Sequence, residues 1–380
     1  MAMHPDRLLP ADPGVREIAR TLFAEVQDLP IISPHGHVPA QWLAEDTAFG
    51  DPTSLLITPD HYVTRLLHAQ GVSLDELGVG RDLSADQSRA AFRILCNHWS
   101  AFRGTAVQYW LEGQLADVFG LDVQPGPDTT DAIYDAIDAA LQTPPFRPRA
   151  LHDRFGIEFL ATTDDPADDL RYHRTLTEWH GTVAPTFRPD RYLEPGRPGW
   201  VADVGRLGEV AGVDTGTYTG WVAAMESRRE FFKDHGAVST DHSHRDARME
   251  RLAPAEVERR YSAAQSGRIT QPEADTLRRH FMFEQARMAA DDGLVMTLHP
   301  GVHRNHHAPT HEAFGTDVGA DIPVALEFTD ALQPVLSEFG TAAGFQMVVF
   351  TMDETVYARE LAPLAGFYPS VYVGAPWWFL

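Results

Sequence analysis

Residues 29–37 read LPIISPHGH, a short β-rich run that ends in two histidines one residue apart. The same unit recurs along the chain: a β-rich run, a polar residue at its end and then a helical stretch. Strands that alternate with helices predict a parallel sheet with right-handed crossovers. Seven runs share the pattern: Leu29–Ser33, Ile157–Thr162, Val183–Phe187, Ala237–Thr240, Leu294–Leu298, Met347–Thr351 and Val371–Gly374.

The length of 380 residues leaves room for one large α/β barrel, which runs to about 250 residues before insertions. The interval 39–156 carries no strand signal of comparable strength, and Asp60–Ala69 and Gln87–Phe102 within it have helical character. We therefore predict an α/β fold of the (β/α)8 TIM-type barrel kind with a helical insertion between strands 1 and 2. Its predicted parts are an N-terminal segment with the first strand (1–38), a mainly helical insertion (39–156) and strands 2–7 (157–380).

A barrel of this type needs eight strands. The eighth is expected beyond Leu380, so the chain is expected to be a truncated form of a longer protein. Between the strands, acidic or proline starts and glycine ends favour helices. The predicted helices are Ala167–His180, Pro272–Asp292 and Asp321–Phe339.

The formal net charge of −23 argues against nucleic acid and anionic membranes as partners. Cys96, the single cysteine, leaves no internal disulfide and is expected to be a buried apolar residue. No apolar run approaches the roughly 20 residues that span a bilayer. We expect a cytoplasmic protein that forms a homo-oligomer.

Ionisable residues follow six of the seven predicted strands, where a barrel of this class places its active site. The seven endings are His35 and His37, Thr163 to Asp165, Arg188, Asp241 and His242, His299, Asp353, and Trp377 with Trp378.

His35 and His37 form a His-x-His pair, and residues two apart at a strand end point to the same side. Both imidazoles can then reach one metal ion at about 2.0–2.1 Å. His242 and His244 form a second pair, which is either a rival site or a substrate contact followed by a surface histidine. Lys233, the only lysine, belongs to the helix before strand four, which favours a mononuclear site over one bridged by a carbamylated lysine.

Arg304 follows His299 by five residues and offers a bidentate fork to a carboxylate, or else a surface salt bridge. His61 and Tyr62 lie on a predicted helix and would either project into the barrel mouth or pack on the barrel. Trp377 and Trp378 would stack on a sugar face or belong to the core.

Together and in order, these residues resemble the uronate isomerases of the amidohydrolase superfamily. The stretches that carry the resemblance are Pro34–His37 with Ala44–Asp46, Asp60–Tyr62, Ala161–Pro166 with Leu170–His173, Ser239–His242, Leu298–His299 with Arg304–Asn305, and Gly374–Phe379.

The resemblance implies interconversion of D-glucuronate with D-fructuronate and of D-galacturonate with D-tagaturonate. It also implies one divalent metal ion per chain, usually zinc, and an aspartate after strand eight, expected beyond Leu380. The implied roles are His35 and His37 as metal ligands, Tyr62, Asp241 and His299 in catalysis, and His61, Arg171, Arg304, Trp377 and Trp378 in substrate binding.

Such an isomerisation polarises the C1 carbonyl and moves the C2 proton through an enediol. A metal or His299 would stabilise the oxyanion, and Arg304 would hold the C6 carboxylate. The base is either Tyr62 or the aspartate expected beyond Leu380. Two alternatives remain: a metal-dependent hydrolase of the same superfamily that acts on an amide or lactone, and a sugar-acid binding protein without activity.

Overall fold

The computed structural model describes residues 4–375. These residues form two compact units. The first contains residues 4–32, 45–158 and 304–321, and the second contains residues 33–44, 159–303 and 322–375. Trp377 and Trp378 therefore lie outside the described residues.

Nine strands are present between residues 4 and 375. They are β1 (Ile31–Ser33), β2 (Ile157–Ala161), β3 (Thr182–Ala184), β4 (Ser239–His242), β5 (Val295–Leu298), β6 (Val302–His303), β7 (Ile322–Pro323), β8 (Met347–Val349) and β9 (Val371–Val373).

The described chain also contains sixteen helices. They are α1 (Pro13–Val26), α2 (Ala40–Glu45), α3 (Pro52–Leu56), α4 (His61–His68), α5 (Ala85–Asn97), α6 (Ala106–Gly113), α7 (Thr130–Leu141), α8 (Pro148–Arg154), α9 (Arg171–Leu176), α10 (Trp200–Ala211), α11 (Tyr218–Asp234), α12 (Pro254–Gln265), α13 (Gln271–Asp292), α14 (Ala308–Phe314), α15 (Thr329–Phe339) and α16 (Ala362–Phe367). Short 3-10 or π turns occur at Leu74–Leu77, Trp99–Phe102, Gln114–Val118, Pro144–Phe146, Asp190–Tyr192 and Tyr357–Leu361.

The pairs β2–β3, β4–β5, β5–β8 and β8–β9 are parallel, and β6–β7 is an antiparallel hairpin. One sheet has the order β1-β2-β3 and another β4-β5-β8-β9. Phe187 links them through parallel bridges to Asp164 and Thr240. All seven predicted strands are present, and the α/β class with parallel sheets is confirmed. The antiparallel pair β6–β7 was not predicted, because its strands are only two residues long.

Capping residues explain which predicted helices formed as expected. Helix α13 begins with a capping box between Thr270 and Glu273 and ends at Gly293, whose φ is +79°. A left-handed residue at this position is a common helix end and favours glycine. The predicted helix Pro272–Asp292 is therefore confirmed within one residue.

The predicted helix Ala167–His180 is wrong over most of its length, because only α9 is helical. The carboxylates of Asp165, Asp168 and Asp169 each accept the backbone N–H two residues on. Such local bonds compete with a helix, and Leu170 has a left-handed φ of +52°.

The predicted helix Asp321–Phe339 begins eight residues late, at Thr329. Ile322 and Pro323 pair as β7, and the Glu360 carboxylate accepts the N–H groups of Phe328 and Thr329 at the helix start.

Aromatic side chains dominate the core of the second unit. The Trp221 and Phe281 rings lie 4.2 Å apart, and Phe187 contacts Phe232 edge to face at 5.1 Å. Every residue of β4 is buried. This packing fixes the strand whose end carries Asp241. In the first unit, Cys96 is buried as predicted.

Among residues 4–375, no helix is both long enough and apolar enough to cross a membrane.

Candidate active site

A glycine fixes the path of the His-x-His segment after β1. A Cβ atom on Gly36 would lie 2.8 Å from the carbonyl oxygen of Ala161, at the end of β2. The Gly36 carbonyl also accepts a hydrogen bond of 2.8 Å from the Thr163 hydroxyl. Only glycine fits this close approach. The approach therefore fixes the backbone position of His35 and His37 on either side.

Four predicted site residues converge in the second unit. The Nε2 atoms of His35 and His37 lie 3.2 Å apart. Asp241 Oδ1 lies 2.7 Å from His299 Nε2 and 3.5 Å from His35 Nδ1. The structure therefore brings together the two predicted metal ligands and two of the predicted catalytic residues.

The Asp241 carboxylate is fully buried and surrounded by nitrogen donors. Burial alone would raise the pKa of Asp241, but His299, Arg188 and His35 together hold it well below its usual range. Burial lowers the pKa of His35, opposed by the charge of Asp241. Asp241 is thus ionised, and the imidazole of His35 beside it is neutral near pH 7.

These side chains fit a divalent metal ion. His35, Asp241 and His299 each offer one donor atom, and the three atoms lie within 4.8 Å of one another. Asp241 Oδ2 is buried and accepts no hydrogen bond from the described residues. Neutral imidazoles and a carboxylate are the donors that zinc and similar ions bind.

Arg188 follows the third predicted strand, and the sequence alone predicts no role for it. Its Nη1 lies 3.4 Å from Asp241 Oδ2, and its Nε donates to Asp190 at 3.1 Å. The guanidinium thus compensates two carboxylates on neighbouring strand ends.

A second group of predicted residues lies in the first unit, at the start of α4. Asp60 caps the helix by accepting the N–H of Tyr62 at 2.8 Å. The rings of His61 and Tyr62 lie 4.2 Å apart, and the Arg65 guanidinium covers the Tyr62 ring at 5.4 Å. Burial raises the pKa of Tyr62 and lowers that of His61. The phenol is therefore a proton donor, and the imidazole is neutral, at ordinary pH.

Arg304 is held by two acids of its own loop. Its Nη1 donates to Asp317 and Asp321, at 3.1 Å each. The loop lies close against α4, because a Cβ atom on Gly319 would approach Arg65 Cβ to 2.7 Å. Arg304 is thus positioned in the same unit as His61 and Tyr62.

Asp317 and Asp321 were missed by sequence reasoning. They follow no strand and form no motif with Arg304, so the pairing arises only from the folded loop. Asp321 is 5% exposed, and a carboxylate is rarely that buried without a partner.

The remaining predicted residues have other surroundings. Arg171, an expected substrate ligand, is exposed and donates to the Tyr172 hydroxyl at 3.0 Å. Lys233 lies on α11, before β4, as predicted. The idea that His244 is a surface residue is wrong: it is 3% exposed.

Comparisons with known proteins agree with this picture. The family model described as glucuronate isomerase matches residues 14–380. A uronate isomerase of Cutibacterium acnes is 52% identical over 384 residues, which cover 100% of this chain and 82% of the relative. Solved structures include a glucuronate isomerase from Caulobacter crescentus (42% identity, TM-score 0.96) and a uronate isomerase from Thermotoga maritima (30% identity, TM-score 0.91). Both are matched over all of this chain and over 80% and 82% of their own lengths, respectively. The chain therefore belongs to the glucuronate (uronate) isomerase family.

Proposed function

We propose that the protein interconverts a hexuronate aldose and its ketose through an enediol. The substrates would be D-glucuronate, giving D-fructuronate, and D-galacturonate, giving D-tagaturonate. The observation that carries the proposal is the buried Asp241 carboxylate, held among His35, His299 and Arg188 in a chain of this family. Such a cluster combines nitrogen donors, a fixed negative charge and a guanidinium within a few ångströms.

His35, Asp241 and His299 would hold a divalent ion, with His37 as a further donor beside His35. We propose zinc, because imidazole and carboxylate donors suit it. When bound, it would supply Lewis-acid stabilisation of the oxygen that gains negative charge in the enediol.

The protein side chains have separate tasks in this scheme. The Asp241 charge orients the imidazole of His299, which lies 2.7 Å away. Tyr62 is protonated at neutral pH because burial raises the pKa of its hydroxyl, so it would donate a proton or hydrogen bond and not begin as the base. Preorganised donors of this kind account for much of the stabilisation of developing oxyanions.

Arg304 would recognise the C6 carboxylate of the sugar. Guanidinium groups bind carboxylates through two parallel hydrogen bonds. Asp317 and Asp321 would keep its Nη1 in place, so less side-chain entropy would be lost when substrate binds. Arg171, His61, Trp377 and Trp378 remain proposed substrate contacts.

The parallel order of β1 to β5, β8 and β9 supports the proposal that they belong to a (β/α)8-type barrel. The helices within residues 39–156 would be its insertion. The active-site cluster follows the carboxyl ends of β1, β4 and β5, where such barrels hold their sites.

The direct test is conversion of each uronate by the purified protein in deuterated water, followed by proton NMR. We expect the ketose to form and deuterium to enter from solvent as the C2 proton is exchanged. A uronate lactone and an amide are assayed in parallel. Hydrolysis of either without ketose formation would identify a hydrolase. Binding of uronate without any turnover, in metal-loaded protein, would identify a sugar-acid binding protein.

A further inference from the structure

A second cluster of metal-binding residue types lies beside the first, within the second unit. It consists of Asp190, in the turn after β3, with His242 at the end of β4 and His244 two residues later. Each offers one donor atom, and the three atoms lie within 4.8 Å of one another. Because neighbouring residues on a strand face opposite ways, the His242 side chain leaves β4 on the side opposite to Asp241.

Two imidazole nitrogens in this cluster are buried and have no hydrogen-bond partner among residues 4–375. They are Nδ1 of His242, which is fully buried, and Nε2 of His244, which is 3% exposed. Buried polar atoms are almost always satisfied, so an unsatisfied pair suggests a partner that the protein chain does not supply.

The other nitrogen of each ring has a fixed partner. The Glu194 carboxylate lies 2.7 Å from His244 Nδ1, and the Thr240 hydroxyl lies 3.1 Å from His242 Nε2. A carboxylate on the far nitrogen is the usual support of a metal-binding histidine, because it leaves the lone pair on the near one. Glu194 thus points the lone pair of His244 into the cluster.

The distance between His244 Nε2 and Asp190 Oδ1 is 3.4 Å. This is long for a hydrogen-bonded ion pair. Two ligands at about 2.1 Å from a tetrahedral ion lie about 3.4 Å apart, so the spacing suits a shared ion. Arg188 Nε donates to the other oxygen of Asp190 at 3.1 Å, and the Ser243 N–H lies 3.3 Å from Oδ1 and 3.1 Å from Oδ2. These donors hold the carboxylate in place, with Oδ1 on the side of His244.

Charges from the neighbouring elements surround the cluster. Arg188 approaches from the β3 end, and Arg278 of α13 lies 3.8 Å from Glu194. Each of these guanidinium groups also pairs with a second carboxylate, Arg188 with Asp241 at 3.4 Å and Arg278 with Asp246 at 2.7 Å. The charges of Asp190 and Glu194 are therefore only partly offset, which favours a bound cation.

We propose that Asp190, His242 and His244 form a second divalent-metal site, of the zinc or cobalt type, separate from the site at Asp241. Three protein ligands would leave one position for water. The site would raise the metal content from the one ion expected from the family resemblance to two ions per chain. Its position, behind the strand that carries Asp241, makes it a structural support for the active-site end of β4.

The test is metal content after the protein is stripped with a chelator, reloaded with Zn²⁺ alone and passed over a desalting column. Wild type should retain two equivalents. His242→Ala/His244→Ala and His35→Ala/His37→Ala should each retain one, and the fourfold variant none. His280→Ala is the matched control, since His280 is also buried but its Nε2 faces the Tyr218 hydroxyl and its Nδ1 accepts the Leu252 N–H. It should retain two.

Glu194→Gln covers the case in which the double variant does not fold, as judged by circular dichroism. Loss of a carboxylate that orients a metal-binding histidine weakens metal binding by about 10–100-fold. In a chelator competition, one of the two Zn²⁺ ions should therefore be bound that much more weakly. One equivalent in wild type, or unchanged metal content in the His242/His244 variant, would overturn the second site. Neither result depends on whether the protein isomerises uronates, which is measured separately.

Discussion

Gly36→Ala should weaken metal binding at the active site without removing any ligand. The new Cβ atom would lie 2.8 Å from the Ala161 carbonyl oxygen, against about 3.4 Å for an ordinary contact. The segment between His35 and His37 must therefore move away from β2 by about 0.6 Å. Binding constellations tolerate displacements of about 0.5 Å, so this movement should disturb both imidazoles.

The size of the effect follows from overpacking, which typically costs about 1–3 kcal/mol. If that strain is relieved at the histidines, the affinity for Zn²⁺ falls by about 5- to 150-fold, since 1.36 kcal/mol corresponds to a factor of ten. The assay is competition with a chromophoric chelator, accompanied by uronate turnover at limiting metal. Gly205→Ala is the control, because its added Cβ would meet no atom of residues 4–375 within 4 Å beyond its own stretch of helix α10. Wild-type affinity and turnover in Gly36→Ala would refute the argument.

Three further changes test the other assignments. His35→Ala/His37→Ala should remove the ion at Asp241, measured by elemental analysis, and undiminished occupancy there would place the ion elsewhere. Arg304→Ala should weaken uronate binding by about tenfold or more, because a charge-assisted hydrogen bond contributes about 1.5–3 kcal/mol; an equal loss for a neutral hexose would contradict its role. Asp164→Asn should stabilise the fold at pH 8 by about 1–3 kcal/mol, since burial raises the pKa of Asp164 to about 6 from 3.8. Ionisation of this carboxyl destabilises the folded state fully above pH 6 and not at all below pH 3.8. The difference in the free energy of unfolding between variant and wild type, measured with urea, should therefore shrink towards pH 4. A difference that does not depend on pH would contradict this cause.

The strands could be predicted from sequence because a short run of apolar residues itself indicates a buried strand. All seven predicted runs contain a strand, and the parallel order follows from the helices between them. Helix boundaries were less predictable where side chains compete for the backbone. Between residues 165 and 171, the carboxylates of Asp165, Asp168 and Asp169 accept nearby N–H groups, and nothing in the local hydrophobic pattern signals that competition. The two-residue strands β6 and β7 are too short to produce a periodic signal at all.

At the candidate site, the residues at strand ends could be predicted from the local sequence, whereas their partners from distant parts of the chain could not. His35, His37, Asp241 and His299 were predicted because each lies at or just beyond the carboxyl end of a strand, and the carboxyl ends of parallel strands meet at one edge.

The partners of these residues depend on the folded loops. Arg188 follows a strand too, but its pairing with Asp241 and Asp190 is visible only in three dimensions. Burial, which decides whether a histidine is a ligand or a solvated side chain, is equally hidden. His244 lies just beyond a strand in a polar stretch, where exposure is the ordinary expectation, yet Glu194, fifty residues earlier in the chain, holds it in the interior. A His-x-His pattern therefore identifies a candidate ligand pair, while the carboxylate that orients it must be found in the structure.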